Sequence, residues 1–220
     1  MWDGILDGSI YSCPSLLASF LILSYADLKK YKFHHLFAFP TFSSTPQWTC
    51  TAPIERLDAQ ETSSLVEAVN AWRSVTDARQ HGFFLVKRQK PAGEPWKVGE
   101  LGEFEKGFFG TPEEEVPESD RLVGFVDPST YPDNPGWPLR NLLMLVRKRW
   151  GWRKARVLCY RDAHAAGGGR HEPKSLIMEC GLEEEGEEGI GDLNLGGKGV
   201  PILPGVVAYP LEHTLMGQNR

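Results

Sequence analysis

The stretch RLVGFVDPSTYPDNPGWPLRNLLMLVRKRWGWRKARVLCYRD, residues 121 to 162, decides the fold. It opens on an apolar run, Leu122, Val123, Phe125 and Val126, which suits a buried strand and stops at Asp127-Pro128. A loop with four prolines follows. The last of them, Pro138, fits the first turn of a helix, where its missing amide hydrogen costs nothing and its φ is already helical. Leu139, Leu142, Leu143, Val146 and Trp150 recur at three- and four-residue steps and give that helix one apolar face, wide enough to lie on a sheet. Arg147, Lys148 and Arg149 place positive charge at the negative end of the helix dipole. Beyond Gly151, ARVLCYRD reads as a second strand. Strand, helix and strand in such close succession make a crossover unit, and parallel strands would require a right-handed connection.

Outward from this unit the signals are weaker. Pro14 starts a predicted helix that runs to about Lys30, with Leu17, Phe20, Leu21, Tyr25 and Leu28 on its buried face. KFHHLFAFP (32 to 40) reads as a strand closed by Pro40, and 41 to 53 as an irregular loop. Asp58 with Glu61 three residues later signals a helix start, and Leu65, Val69, Trp72 and Val75 carry that helix towards Gln80. FFLVK (83 to 87) and SLIMEC (175 to 180) are strands. Pro91 to Pro117 reads as a surface excursion anchored by Trp96, Phe104, Phe108 and Phe109. The resulting class is α+β, a mixed sheet of about five strands with three main helices. Residues 1–13 are expected to form a loose start, 14–180 the domain, and 181–220 an acidic glycine-rich linker with an irregular tail.

A chain of 220 residues can bury one well-formed core, and 41% hydrophobic against 24% charged residues is the balance of a soluble globular protein. The net charge of -5 gives no reason to expect nucleic acid or an acidic membrane as partner. Cys13, Cys50, Cys159 and Cys180 are scattered, and are read as reduced cytosolic thiols. Asp3 and Asp7 stand where a secretory signal would carry basic residues, and the apolar run Leu16 to Tyr25 is too short to cross a bilayer. A soluble, cytoplasmic chain is expected.

Each pattern that could carry chemistry has a plainer reading. GDLNLGGK (191 to 198) departs from a phosphate-binding loop, because its lysine is one residue late and no serine or threonine follows. Cys159, His164, His171 and Cys180 have no familiar zinc spacing, and adjacent His34 and His35 point to opposite faces of a strand. Cys13 is the one cysteine beside a helix start, a position also explained by packing. Asp127, Asp133 and Asp162 could gather at strand ends for acid and base catalysis, but Asp127-Pro128 and Asp133-Asn134 are also common turn formers. Arg147, Lys148, Arg149, Arg153, Lys154 and Arg156 form the densest positive patch, either a solvated helix end or a docking surface for an acidic partner segment. No catalytic residue, metal site or cofactor is expected.

FVDP (125 to 128), PGWPLRN (135 to 141) and VLCYRD (157 to 162), preceded by FLILSYADLKKYKF (20 to 33), together resemble the N-terminal domain of the autophagy ubiquitin-like modifier-activating enzymes. The resemblance spans about 14 to 180, in the family's order. It implies a module that recruits the autophagy conjugating enzymes, active in protein transport at the cytoplasmic site of autophagosome assembly. Adenylation, zinc binding, dimerisation and the thioester cysteine belong to a separate C-terminal domain in that family, and no GxGxxG element or paired CxxC occurs here. A non-catalytic monomer is therefore expected, the alternative being an incomplete gene model of a full activating enzyme. The family's domain also carries a substantial lobe before the segment matched at Pro14. For partner binding the reading selects Trp137, Arg140 and Arg147, because rigid aromatics and arginines contribute disproportionately to interfaces.

Overall fold

Phe83, Phe84, Leu85 and Val86 are all buried. Successive strand residues point to opposite faces, so such a run requires cover on both sides of its sheet. Phe83 and Leu85 enter one core, Phe84 and Val86 another. The same division separates Val123 and Phe125 from Leu122, Val157 and Cys159 from Leu158 and Tyr160, and Leu176 and Met178 from Ile177.

The computed structural model describes residues 1–44, 46–89, 95–111, 114–162, 172–182, 200–203 and 206–214. The helices are α1 (Trp2–Asp7), α2 (Ala59–Val75) and α3 (Pro138–Arg149). The strands are β1 (Leu21–Asp27), β2 (Lys32–Pro40), β3 (Trp48–Cys50), β4 (Glu55–Arg56), β5 (Phe83–Arg88), β6 (Trp96–Glu100), β7 (Gly110–Thr111), β8 (Glu114–Glu115), β9 (Arg121–Val126), β10 (Lys154–Tyr160), β11 (Leu176–Leu182), β12 (Val200–Leu203) and β13 (Val206–Thr214).

The central sheet has the order β3-β11-β10-β9-β5-β6, with β4 also beside β11. β9 and β10 are parallel, Val157 opposite Val123 and Cys159 opposite Phe125, as the crossover unit requires. Their other neighbours are antiparallel, so the sheet is mixed and the class α+β. α3 covers one face together with α1 and two 3-10 turns, Ser9–Ser12 and Pro14–Ala18, and α2 covers the other with Leu65, Val66 and Val69. Gly124 lies opposite Phe84, and a Cβ there would come within 2.6 Å of the Phe84 ring. The aromatic ring fills the space that a side chain would take.

α2 starts as Asp58 and Glu61 predict. Asp58 Oδ1 accepts the amides of Gln60 (2.8 Å) and Glu61 (2.7 Å), and Glu61 Oε2 accepts the Asp58 amide (3.3 Å). Asp58→Ala is expected to cost about 1 kcal/mol in urea unfolding, while Asp58→Ser stays within a few tenths. Equal losses in the two variants would contradict a capping role.

Three expectations are corrected. No helix spans 14 to 30: Pro14–Ala18 is one 3-10 turn, and Leu21–Asp27 is β1. The Asp27 carboxylate accepts the amides of Lys29 and Lys30, and Tyr31 takes a left-handed φ of 52°. These contacts reverse the chain, so β1 pairs antiparallel with β2 from Leu21 opposite Ala38 to Asp27 opposite Lys32. The opening residues are not loose either, because Ile5 of α1 and Ile10 are fully packed beneath α3. In the tail, β13 pairs with β2 and β12 with β13, where irregular chain is expected; the acidic stretch 183–199 lies outside the described residues. The expected excursion, 91–117, contributes strand β6, and Phe104, Phe108 and Phe109 do anchor it to the core.

Candidate partner-binding site

The loop between β9 and α3 is shaped by one ion pair. Asp127, at the end of β9, accepts the amides of Ser129 (2.9 Å) and Gly136 (2.8 Å) on Oδ1. Its Oδ2 takes Nε (2.9 Å) and Nη2 (2.8 Å) of Arg161, just past the parallel strand β10. The same guanidinium donates to the carbonyls of Tyr131, Pro132 and Asn134. A Cβ at Gly136 would lie 2.8 Å from the Asp127 carboxylate, so only glycine lets the loop close this tightly.

These contacts decide the role of the three aspartates. Asp127 spends both oxygens on the loop. Asp162 accepts the amide (2.9 Å) and hydroxyl (2.6 Å) of Ser175 and the Lys174 amide, joining β10 to β11. Asp133 pairs with Arg56 at 2.8 Å on the surface. Asp127 and Asp133 act as turn and loop fasteners, the plainer of their two readings, and Asp162 ties two strands together.

The loop delivers Trp137 to the start of α3, where its ring lies 5.0 Å from Phe39 of β2. Phe39 in turn neighbours Phe37 and Phe20, so the four rings form a continuous aromatic stripe. Its far end is open, with Phe20 51% exposed. Arg140 is half-buried on the first turn of α3; its amide donates to the Trp137 carbonyl (3.2 Å), and its guanidinium makes no hydrogen bond or ion pair among the described residues. Arg147, two turns along, donates to the Ser44 hydroxyl (2.6 Å) and so also steadies the chain after β2. The predicted residues thus lie along α3, with Trp137 at its N-cap as the end ring of the stripe, Arg140 in its first turn and Arg147 towards its other end.

Asn141 escaped the sequence reading as a functional residue. It is fully buried, donates to the carbonyls of Leu17 (2.8 Å) and Pro40 (3.1 Å), and accepts the Phe42 amide (3.0 Å). It thereby fastens both ends of the β1–β2 hairpin to α3. The available signal was a polar residue between Leu139 and Leu142, on the apolar side of the helix.

Much of the basic cluster is structural. Arg149 pairs with Glu105 (2.8 Å), donates to the Leu6 carbonyl (2.9 Å) and covers the Tyr11 ring. Arg156 binds Glu55 and the Ser119 carbonyl. Arg153 and Lys154 remain exposed on a groove of about 890 Å³ that Arg88, Arg121 and Trp152 also line. Trp150 and Trp152 pack against Phe104, and Trp150 Nε1 donates to the Tyr11 hydroxyl (2.7 Å), which assigns both to packing. Burial pushes the Tyr160 hydroxyl up to about 12 and the Cys159 thiol well above its usual range, so neither is a nucleophile at neutral pH.

His35 Nδ1 meets the Ser24 hydroxyl (2.7 Å) on one face of the hairpin, and His34 stacks on Tyr25 on the other. His164, His171 and the GDLNLGGK segment lie outside the described residues, among which no metal-binding cluster occurs. No helix of the described residues is long and apolar enough to cross a membrane.

Comparison with known proteins shows the family. The family model described as the N-terminus of ubiquitin-like modifier-activating enzyme ATG7 matches residues 1–201. The chain is 48% identical over 202 residues to ubiquitin-like modifier-activating enzyme ATG7 of Sordaria macrospora, covering 85% of the chain and 28% of that relative. It is 53% identical over 195 residues to the Gibberella zeae protein of the same name, covering 83% and 27%. It therefore spans little more than a quarter of the length of these relatives. The crystal structure of Kluyveromyces marxianus Atg7NTD shares the fold, with a TM-score of 0.52 at 14% identity, covering 98% of this chain and 64% of that one. On these matches the chain belongs to the ubiquitin-like modifier-activating enzyme ATG7 family, and corresponds to its N-terminal part.

Proposed function

We propose that this chain recruits the autophagy conjugating enzymes through the face where the start of α3 meets β2. The observation that carries the reading is the stripe Trp137, Phe39, Phe37 and Phe20, open at its far end, with Arg140 one helical turn beyond Trp137 and its guanidinium making no bond among the described residues. Aromatic rings fixed by packing lose little entropy on binding, and an arginine without an internal partner is available to a carboxylate. The family resemblance supports a holding role, since it assigns adenylation and thioester chemistry to a separate C-terminal domain.

Titration of the chain against each purified conjugating enzyme tests this. Saturable binding is expected, and Trp137→Ala and Arg140→Glu should each weaken it by about tenfold or more at an unchanged melting temperature. Arg147→Glu should weaken it less, because that side chain is also committed to Ser44. No binding at high micromolar concentration would reject recruitment. Binding insensitive to Trp137 and Arg140 would keep recruitment and move it to another surface.

A further inference from the structure

We propose that Cys50 and Cys180 are a disulfide-forming pair that fastens the edge strand β3 to β11. The proposal rests on strand register and is independent of the recruitment reading. Cys50 lies directly opposite Cys180, between Thr49 opposite Gly181 and Thr51 beside Glu179. The Thr51 amide donates to the Glu179 carbonyl at 2.9 Å, which makes that neighbouring pair the hydrogen-bonded one. Pairs alternate along an antiparallel ladder, so Cys50 and Cys180 occupy a non-hydrogen-bonded position. There Cα atoms stand about 4.5 Å apart with side chains on the same face, within the Cα range of about 4.4 to 6.8 Å that disulfides span.

Burial and register define the roles. Cys180 is fully buried in the core beneath α3, and its thiol is pushed far up by burial and by its neighbour Cys50. Cys50 is half-buried, packs on the same core, and donates its thiol proton to the Ala52 carbonyl (3.1 Å), so it is the sulfur that solvent can reach. Cys159 points into that core too, but it lies opposite Leu176, whereas Cys180 faces Ala155. Cys159 lies four positions beyond Ala155, about 13 Å along a strand, which takes Cys159 out of reach. The Cys159 sulfur meets Met178 instead, at 3.9 Å.

With oxidised glutathione as the oxidant, the Cys50 thiolate, its proton lost to water, attacks one glutathione sulfur. This forms a mixed disulfide and releases one glutathione. When the edge strand β3 lifts, Cys180 meets water and is freed of the burial that holds its proton; its thiolate, the proton lost to water, attacks Cys50 Sγ and breaks the bond to the second glutathione. Two protein thiols are oxidised and one glutathione disulfide is reduced to two thiols. β3 is short and lies at the edge of the sheet, so brief lifting of it admits the second step.

The test is to incubate the folded full chain with oxidised glutathione, block remaining thiols and map the peptides by mass spectrometry. Loss of two of the four thiols is expected, with a Cys50–Cys180 cross-linked peptide. Cys13→Ser and Cys159→Ala should retain the cross-link and Cys50→Ser should abolish it. The peptide map of the unsubstituted chain decides the matter even if Cys50→Ser folds poorly. A glutathione adduct on Cys50 as the end product, a Cys50–Cys159 link, or reaction only after denaturation would each overturn the proposal.

Discussion

Arg161→Ala is expected to lower the unfolding free energy by about 3 kcal/mol, the lower end of what breaking a buried ion pair costs. Arg161 is 8% exposed and the Asp127 side chain 0%, so removal of the guanidinium strands a carboxylate away from water. Two loop amides, from Ser129 and Gly136, still bond to Asp127, which places the loss at the lower end. The guanidinium also holds three carbonyls of the 131 to 134 segment, so loop and ion pair should fail together. Urea unfolding of Arg161→Ala beside Arg56→Ala gives the comparison. Arg56 pairs with Asp133 at the same 2.8 Å but with side chains 49% and 67% exposed, and its loss should cost less than about 1 kcal/mol. The double variant Asp127→Asn, Arg161→Met should recover part of the loss, because an amide oxygen keeps the loop bonds and leaves no orphaned charge. If Arg161→Ala proves no worse than Arg56→Ala, the loop that delivers Trp137 is held by something else.

The contrast between those two pairs also explains what could be read from the sequence. β5, β9, β10 and β11 were legible because each buries both faces and so writes an unbroken apolar run, and α3 because one face repeats at helical steps. β1 was not legible. Leu21 and Leu23 are 67% and 71% exposed and Ile22, on the opposite face, 51%, so no two-residue alternation marks a buried side. Leu17, Phe20, Leu21, Tyr25 and Leu28 meanwhile fall at helical steps by coincidence. The deciding feature is the Asp27 turn, whose left-handed residue is a tyrosine and carries none of glycine's usual signal. At the candidate site, Asp127 could be recognised as a turn former. That its partner would be Arg161, thirty-four residues later, follows only from the parallel pairing that brings the two strand ends together. Trp137 and Arg140 stand out in the sequence by residue type alone, and the stripe that Trp137 completes emerges only once β2 crosses the start of α3.

Asn141 offers the second large effect. Asn141→Ala removes three hydrogen bonds at a site with no solvent exposure and leaves the Leu17 and Pro40 carbonyls and the Phe42 amide without their side-chain partner. A cost of about 2 to 4 kcal/mol is expected, since each orphaned buried group forfeits its hydration as well as its bond. Asn141→Asp separates the donors from the acceptor. It keeps an oxygen for the Phe42 amide but sets a carboxyl group against two carbonyl oxygens, which raises its folded pKa above the unfolded value of about 3.9. A carboxyl group of that kind holds its proton more tightly in the folded state, so stability is greatest below the unfolded pKa and falls as pH rises through the folded one. Asn141→Asp should therefore be closer to the parent protein at pH 4 than at pH 7, while the deficit of Asn141→Ala should change little between them. Amide exchange locates the damage, since Phe42 should exchange faster in Asn141→Ala and retain more protection in Asn141→Asp. A deficit in Asn141→Asp that ignores pH would mean that the hairpin is not fastened to α3 through this side chain, and that the contact between Phe39 and Trp137 is held by packing alone.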